Sequence, residues 1–180
     1  MRFVGLDPST KTGFVALDEA GNVLRVKELT GVGDKDPKRM ASLIGEVMAF
    51  IQPDDVIAIE GFGFASQQAI QLGGIGWGIR IALFRRGIAY TEVSPAAVKK
   101  FATGKGNAKK DDMVLPIYRK WGFEHSSDNV RDAFVLAKIA EELHMAKDFG
   151  GPTLTCQYEA EVIRSILTPP EKKPKRKRKA

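Results

Sequence analysis

A four-residue apolar run, Val56 to Ile59, lies between the acidic pair Asp54-Asp55 and Glu60, and it constrains the fold more than any other feature. An apolar run of this length without polar alternation is typical of a strand that is buried on both faces. Such a strand needs helices on both sides of its sheet, because each apolar face must be covered. The sequence therefore predicts an α/β protein built around a central sheet.

The segments on either side of this run predict a mixed five-stranded sheet flanked by helices. In chain order we expect strands at 2–6, 13–17 and 23–29, a helix at 37–51, the strand at 56–59, a helix at 67–86, a strand at 88–93, and helices at 95–101, 109–121 and 127–147. Strands that are first antiparallel and then alternate with helices favour a mixed sheet. Pro116 should start, kink or break its helix, and Ser127 or Asp128 should cap the last one.

The length of 180 residues suffices for one ordinary domain with appendages. We expect a domain at 1–150, a weakly patterned extension at 151–170 and a basic, disordered tail at 171–180. The single cysteine, Cys156, cannot form an intramolecular disulfide, which favours a reducing compartment, the cytoplasm. The uncharged stretch at 61–79 holds six glycines and three glutamines, so we expect no membrane span. The amino-terminal residues also predict no signal peptide.

The net charge of +6 is unevenly distributed along the chain. Residues 1–79 carry −3 and residues 121–170 carry −4, whereas residues 80–120 carry +7 and the last ten residues +6. A basic middle between acidic segments is typical of a polyanion-binding surface beside an acidic site. Composition alone does not identify the polyanion.

Four acidic residues occupy positions suited to a common site. Asp7 and Glu60 each follow a predicted buried strand, and ligands gather at the carboxyl ends of such strands, although each acid could also simply end its strand in a turn. Asp128 and Asp132 lie four residues apart and so share one helix face. Asp132 precedes an apolar segment, where a cation would offset its desolvation. Asp128 is also a suitable N-cap.

The donor types restrict the chemistry that such a site could perform. Oxygen ligands alone favour magnesium or manganese over zinc, and two such ions can activate water and stabilise the leaving oxygen of a phosphodiester. The sequence has no glycine-rich phosphate loop ending in Gly-Lys-Ser/Thr and no Cys/His cluster with zinc spacing. His125 is a lone histidine, and Cys156 has no candidate base nearby in sequence.

A lysine-rich segment runs from Val98 to Lys110 and places five lysines around two glycines. Ammonium groups in such a segment can bind a sugar-phosphate backbone or stabilise charge on a scissile phosphate. A solvated basic loop is the alternative interpretation. Because the chain also has four candidate site acids, we favour the phosphate-binding interpretation.

These residues together resemble those of RuvC-type Holliday junction resolvases, particularly the compact phage forms, in the ribonuclease H-like superfamily. The similarity covers about residues 1–145. Gly5-Leu6-Asp7-Pro8-Ser9 and Ile59-Glu60 resemble the first two acid motifs of that family, and Asp132-Ala133 resembles the last. Lys99 and Lys110 have the spacing of two family lysines that are important for cleavage. The resemblance implies a ribonuclease H-like mixed sheet of five strands.

Two positions depart from the family pattern. The family commonly has an acid or a histidine three residues before the last aspartate, where this chain has Asn129 and places Asp128 one position earlier. The family also has an aromatic residue three positions after the second acid, used to disturb pairing at the junction centre. Here Gly63 stands at that position between Phe62 and Phe64, and either ring could insert between bases or belong to the core.

The resemblance also implies a homodimer, since opposed cuts in a four-way junction need two sites related by symmetry. Four glycines around Trp77, at positions 73, 74, 76 and 78, would let a helix or loop approach another backbone closely. That backbone could belong to a second copy or to the same chain.

The leading hypothesis is a metal-dependent endonuclease that cleaves four-way and other branched DNA junctions with two Mg²⁺ ions, or with Mn²⁺. Catalysis is assigned to Asp7, Glu60, Asp128, Asp132, Lys99 and Lys110, metal binding to the four acids among them, and DNA binding to Arg85, Arg86, Lys100, Lys105, Lys109, Phe62 and Phe64. The alternatives are a ribonuclease H acting on RNA–DNA hybrids and a non-catalytic DNA-binding protein. A fragment of the sugar-kinase and actin superfamily is a further alternative, but the chain lacks room for its two domains.

Overall fold

The computed structural model describes residues 1–62, 68–152 and 154–169 and contains a five-stranded mixed sheet. The strands are β1 (Arg2–Asp7), β2 (Thr12–Leu17), β3 (Val23–Leu29), β4 (Asp55–Glu60) and β5 (Tyr90–Val93). Their order is β3-β2-β1-β4-β5, with antiparallel pairing among the first three strands and parallel pairing of β4 with β1 and β5. The predicted mixed sheet is confirmed.

Besides a short 3₁₀ helix at Asp111–Met113, six α-helices pack around this sheet within the described ranges. They are α1 (Lys38–Phe50), α2 (Ala69–Arg85), α3 (Pro95–Thr103), α4 (Val114–Trp121), α5 (Asp128–Asp148) and α6 (Gln157–Leu167). Ile57 and Ile59 of β4 join the core formed with α1 and α2, whereas Val56 and Ala58 face the core formed with α3, α4, α5 and α6. Strand β4 is therefore buried on both faces, as predicted.

Helix α6 has no counterpart among the elements that we expect from the sequence. It lies in the segment 151–170, and its residues Val162 and Ile163 are buried in the core shared with α3 and α5. That segment therefore packs on the sheet domain. The tail at 171–180 lies outside the described residues.

Local signals explain where several helices begin. Ser94 caps α3 by accepting from the backbone N–H of Ala97, and Pro95 occupies the first helical position. Pro116 lies in the first turn of α4, where a proline does not break a helix. Ser127 caps α5 by accepting from the N–H of Val130, so Asp128 is the first helical residue and not the cap.

Two glycines allow α5 to lie directly on the sheet. A Cβ atom at Gly5 would lie 1.9 Å from the carbonyl oxygen of Ala133, and one at Gly13 would lie 2.0 Å from that of Asn129. Any side chain at either position would push α5 away from β1 and β2. This close approach brings the amino end of α5 next to the carboxyl end of β1.

No helix in the described part of the chain is both long enough and apolar enough to cross a membrane.

Candidate active site

A cavity of about 880 Å³ opens beside the carboxyl ends of β1 and β4. Its wall includes three of the predicted acids, both predicted catalytic lysines and one predicted aromatic residue: Asp7, Glu60, Asp132, Lys99, Lys110 and Phe62. We call it the acidic cavity. It is built from the ends of two strands and from three helices, so residues far apart in the chain meet in one place.

Sheet register places Asp7 and Glu60 side by side. Leu6 of β1 pairs with Ile59 of the parallel strand β4, so the next residue of each strand reaches the same edge. Asp7 is only 6% exposed. Burial, followed by the charges of Glu60 and Asp132, raises the pKa of Asp7 well above its ordinary value. Burial also raises the pKa of Glu60 to about 7, although a hydrogen bond with Asp7 acts in the opposite direction.

Helix α5 brings the third acid to this edge. Burial raises the pKa of Asp132 to about 6, and the charge of Lys110 opposes that rise. The carboxylates of Asp7, Glu60 and Asp132 therefore lie within electrostatic reach of one another and of Lys110, and Glu60 and Asp132 also lie within reach of Lys99. The three carboxylates outnumber these two ammonium groups, of which Lys110 is also paired with Asp128, and a cation would relieve the excess negative charge.

Asp128 has a different position from the other three acids. It does not line the acidic cavity, and its carboxylate accepts a hydrogen bond from the Lys110 ammonium group. Burial alone would raise the pKa of Asp128, but this hydrogen bond lowers the pKa below its ordinary value. Partial burial opposes ionisation of Lys110, whereas the hydrogen bond and charge of Asp128 raise the pKa of Lys110. The pair thus keeps both groups ionised at the edge of the cavity.

The donor chemistry of the cavity fits a hard divalent cation. Its acidic donors are carboxylate oxygens on three separate elements, which is the ligand type that magnesium and manganese prefer. Across residues 1–62, 68–152 and 154–169, no three Asp, Glu, His or Cys side chains already form a closed set of metal ligands. The acids of the cavity border open space.

The other predicted basic residues lie in three places. Lys105 and Lys109 are exposed on the loop that follows α3 and leads to Lys110. Lys100, in contrast, forms an ion pair with Glu161 of α6 at 2.8 Å. Arg85 and Arg86 lie at the carboxyl end of α2, whereas the cavity contacts its amino-terminal and central turns.

Arg86 and His125 form hydrogen bonds that hold neighbouring backbone segments in place. Arg86 donates to the carbonyl oxygen of Met48 at 2.7 Å and so ties the end of α2 to α1. His125 Nδ1 accepts from the backbone N–H of Ser127 at 3.0 Å and shapes the turn before α5. Neither residue lines the acidic cavity.

Phe62 is the predicted aromatic residue that the described structure places at the site. Its ring lies 5.3 Å from the ring of Trp77 and 4.3 Å from the guanidinium carbon of Arg80. Phe64 lies outside the described residues. Arg80 and Trp77 line the cavity too, but we did not expect them there from the sequence. The signal available for Arg80 is its position as a lone charge between Ile79 and Ile81 of an apolar helix.

The glycines of α2 pack mainly within the chain. Cβ atoms at Gly74, Gly76 and Gly78 would approach Met40, Phe62 and Ile44, whereas Gly73 faces open space. The same helix exposes four large apolar side chains at helical spacing, which we call the α2 apolar stripe: Ile70, Trp77, Ile81 and Phe84. Ile70 is 94% exposed and Phe84 is 81% exposed. An apolar stripe of this extent is typical of a surface that another protein covers.

Comparison with known proteins gives one consistent family. Residues 3–139 match the family model described as crossover junction endodeoxyribonuclease RuvC. The chain is 32% identical to the crossover junction endodeoxyribonuclease RuvC of Rhizobium leguminosarum bv. trifolii, over 76% of this chain and 87% of the relative. It is 25% identical to the protein of the same name from Synechococcus sp. strain WH7803, over 76% of this chain and 96% of the relative.

Two solved structures share the fold. A Thermus thermophilus RuvC structure superposes with a TM-score of 0.57 at 20% identity and covers 83% of this chain and 97% of its own. T. thermophilus RuvC in complex with a Holliday junction substrate superposes with a TM-score of 0.60 at 22% identity, with coverages of 86% and 99%. Helix α6 lies beyond the residues that match the family model.

Proposed function

Because the chain belongs to the RuvC family of crossover junction endodeoxyribonucleases, we propose that the acidic cavity is the site at which it cleaves four-way DNA junctions. The reaction is phosphodiester hydrolysis, and other branched DNA is a further substrate in this proposal. The observation that carries the assignment is the meeting of Asp7, Glu60 and Asp132 in one cavity with Lys99 and Lys110. A cytoplasmic location is part of the proposal, because the substrate is DNA.

The family implies a divalent metal cofactor, and we propose two Mg²⁺ ions, with Mn²⁺ as a substitute. Asp7, Glu60 and Asp132 would hold the ions. Bound there, the ions would supply the Lewis acidity that activates water and stabilises the leaving oxygen of a phosphodiester. Asp128 is the fourth acid of this proposal. Its hydrogen bond with Lys110 supports a role in holding the lysine, and ligation of an ion by Asp128 stays a prediction.

The two lysines of the cavity act on the DNA phosphates. Lys110 carries its positive charge next to Asp7, Glu60 and Asp132, so it can stabilise the negative charge that develops on the scissile phosphate. Lys99 lies on α3 and lines the cavity, where it can position the strand through a phosphate contact.

Further basic residues would bind the DNA backbone without reading its sequence. Lys105 and Lys109 are exposed next to Lys110 and are suited to phosphate contacts. Arg85 would contact an arm further from the cavity. Lys100 and Arg86 already bond to Glu161 and to the Met48 carbonyl, so their contacts to DNA should contribute less.

Phe62 can act on the bases at the junction centre. It lines the cavity within two residues of Glu60 and presents an aromatic ring there. An apolar ring inserted between base pairs unstacks them, which opens the duplex at the cut. Phe64 has the same proposed role, but it lies outside the described residues.

A homodimer is part of the proposed function, because paired cuts across a junction need two sites related by symmetry. The α2 apolar stripe supports this arrangement, since its exposed side chains would be buried between two copies. The glycines at 74, 76 and 78 do not provide this support, because they contact residues of their own chain.

The test is a gel assay with a labelled immobile four-way junction, with and without magnesium. We expect magnesium-dependent nicks at symmetry-related positions on two strands, and no comparable cleavage of an RNA–DNA hybrid. Asp7→Asn should bind the junction within about threefold of the original protein and cleave it at least about 10³-fold more slowly. Full cleavage by Asp7→Asn would contradict the metal assignment, and preferential cleavage of the hybrid would favour a ribonuclease H.

A further inference from the structure

Arg80 is a buried charge next to the acidic cavity that none of the roles above uses. It lies in the middle of α2, a helix that is otherwise almost entirely apolar at this point, and it is only 3% exposed. A guanidinium group is rarely buried without several hydrogen bonds, because its desolvation is costly. The partners of Arg80 therefore indicate what it holds in place.

The guanidinium group connects three elements. Its Nε and Nη2 atoms donate to Oε2 of Glu92 in β5 at 3.0 and 2.8 Å. Nη2 also donates to the backbone carbonyl oxygen of Glu60 at the end of β4, at 2.8 Å. Nη1 donates to the carbonyl oxygen of Gly76, one turn earlier in α2, at 3.1 Å. Arg80 thus bonds directly to the backbone of a proposed metal-binding acid.

The same group supports the aromatic ring of the cavity. The guanidinium carbon lies 4.3 Å from the centroid of the Phe62 ring, within the range of a cation–π contact. Gly76 makes room for this arrangement, because a Cβ atom there would lie 2.6 Å from the Phe62 ring and 3.2 Å from Nη1 of Arg80. Ring and guanidinium therefore fill a space that only a glycine leaves open.

We propose that Arg80 is a positioning residue that fixes the segment from Glu60 to Phe62, so that the acid and the ring are aligned together on the DNA. This inference rests on the proposed function, since it assigns Arg80 to the same site. Arg80 acts through the carbonyl of Glu60 and the face of Phe62, both of which it contacts directly. A shift of this segment by about 1 Å would misalign both groups and slow cleavage by about 10²-fold.

Glu92 orients Arg80 but does not explain its burial. The Glu92 side chain is 51% exposed, so an ion pair with it contributes little stability in solvent. The hydrogen bonds to Glu60 and Gly76 and the contact with Phe62 are the ones that need a planar, forked donor. Lysine supplies the charge but not this geometry.

The experiment compares Arg80→Met and Arg80→Lys with the matched control Arg2→Met. Arg2 also bonds to a carboxylate and to a backbone carbonyl, those of Asp55 and Phe50, but it lies at the opposite end of β1 from the cavity. Arg2→Met therefore loses an equivalent set of bonds without touching the site. All proteins are assayed below their unfolding temperatures, with junction affinity and single-turnover cleavage measured separately.

We expect Arg80→Met to slow single-turnover cleavage about 10- to 100-fold while junction affinity changes less than about threefold. Arg80→Lys should recover part of the rate, and Arg2→Met should cleave at nearly the original rate despite a lower unfolding temperature. Fluorescence of 2-aminopurine placed at the junction centre should show less unstacking with Arg80→Met. Equal losses of activity in Arg80→Met and Arg2→Met, or the original rate in Arg80→Met, would overturn the inference.

A second measurement does not depend on cleavage. Amide hydrogen exchange of the peptide that contains Glu60 to Phe62 should become about tenfold faster in Arg80→Met and in Arg80→Lys, but not in Arg2→Met. Unchanged exchange in both Arg80 variants overturns the inference even if the original protein cleaves junctions. Failure of the original protein to cleave junctions, with faster exchange in the variants, contradicts the proposed function and leaves the positioning role supported. If Arg80→Met does not fold, Arg80→Lys decides the outcome by the same two criteria.

Discussion

Burial raises the pKa of two carboxyl groups on α5, but only one of them lines the acidic cavity. Burial raises the pKa of Asp132 to about 6 and that of Glu142 to about 7. Asp132 lines the acidic cavity, where Lys110 and two carboxyl groups from the sheet also lie. The pKa of Glu142, ten residues later, is raised further by the charges of Glu141 and of Glu159 in α6, and the charge of Lys138 opposes this rise. A raised pKa is therefore not sufficient to identify a functional acid.

The surroundings of the two groups make the difference. Within the described ranges, Oε2 of Glu142 is buried without a hydrogen-bond partner, and Glu142 lines neither the acidic cavity nor the cavity between α3, α4 and α6. Asp132 instead shares an open space with acids from β1 and β4 and with lysines from two segments. Convergence of separate elements on one cavity distinguishes Asp132, whereas Glu142 is a half-buried carboxyl group with one unpartnered oxygen.

The largest expected effect is a difference in junction cleavage between variants of Asp132 and Glu142. Asp132→Asn should lower single-turnover cleavage of a four-way junction by at least about 10³-fold, because it removes a proposed metal-binding oxygen. Glu142→Gln, an equally conservative change in the same helix, should cleave within about twofold of the original rate. A comparable loss in both variants would break the comparison, because burial on α5 would then be the common cause.

A second comparison involves two lysine–carboxylate pairs beside α5. Lys110 pairs with Asp128 next to the cavity, and Lys120 pairs with Glu159 of α6. Lys110→Ala should slow cleavage by about 10²-fold and weaken junction binding by less, because it removes a charge beside the scissile phosphate. Lys120→Ala should lower the unfolding temperature and leave the single-turnover rate nearly unchanged.

Asp128→Asn sharpens this second comparison. If Asp128 serves Lys110, the variant should lose about tenfold in rate, and additional magnesium should not restore it. A loss as deep as that of Asp132→Asn, recovered by additional magnesium, would instead make Asp128 a metal ligand. Equal rates in Lys110→Ala and Lys120→Ala would contradict the role assigned to Lys110.

The sheet and the acids at its edge could be predicted because short-range patterns determine them. The apolar run in β4 required two covered faces, and parallel pairing then placed Asp7 beside Glu60. The position of Asp132 could be predicted because an acid at the start of an apolar helix loses solvation, and a nearby cation is needed to offset that cost. Each of these inferences depends on residues within a few positions of one another, together with a general rule of sheet geometry.

The features that the sequence did not predict depend on contacts between segments that are distant in the chain. Arg80 gains its place from Glu92 and Phe62, which lie on other elements. Helix α6 was missed because its buried side includes Glu159, whose charge interrupts the apolar pattern. Ser127 and Asp128 are both suitable N-caps, and sequence alone did not rank them. Contacts between residues on different elements are determined by the fold, and the spacing of residues along the sequence does not reveal them.

The smallest expected effect concerns Glu142 and the stability of the contact between α5 and α6. Its carboxyl group has an ordinary pKa of 4.5 when unfolded and about 7 when folded. Between these values the folded protein retains a proton that the unfolded chain has released. Stability therefore falls as the pH rises from about 4.5 to about 7, and the whole loss is present above pH 7.

Glu142→Gln removes this pH-dependent loss, because the amide stays neutral. At pH 8 the variant should be more stable than the original protein by about 1 kcal/mol, a value reduced from the full shift because the group is half-buried. This difference corresponds to about 3 °C in unfolding temperature, and at pH 4.5 it should vanish. Thermal unfolding at both pH values measures it, with Glu124→Gln as the control, since Glu124 is exposed on the segment between α4 and α5 and should not gain stability from neutralisation. A gain that is equal at both pH values, or that is larger at pH 4.5, would show that the Glu142 charge does not strain this contact, and the contrast with Asp132 would then rest on the cavity alone.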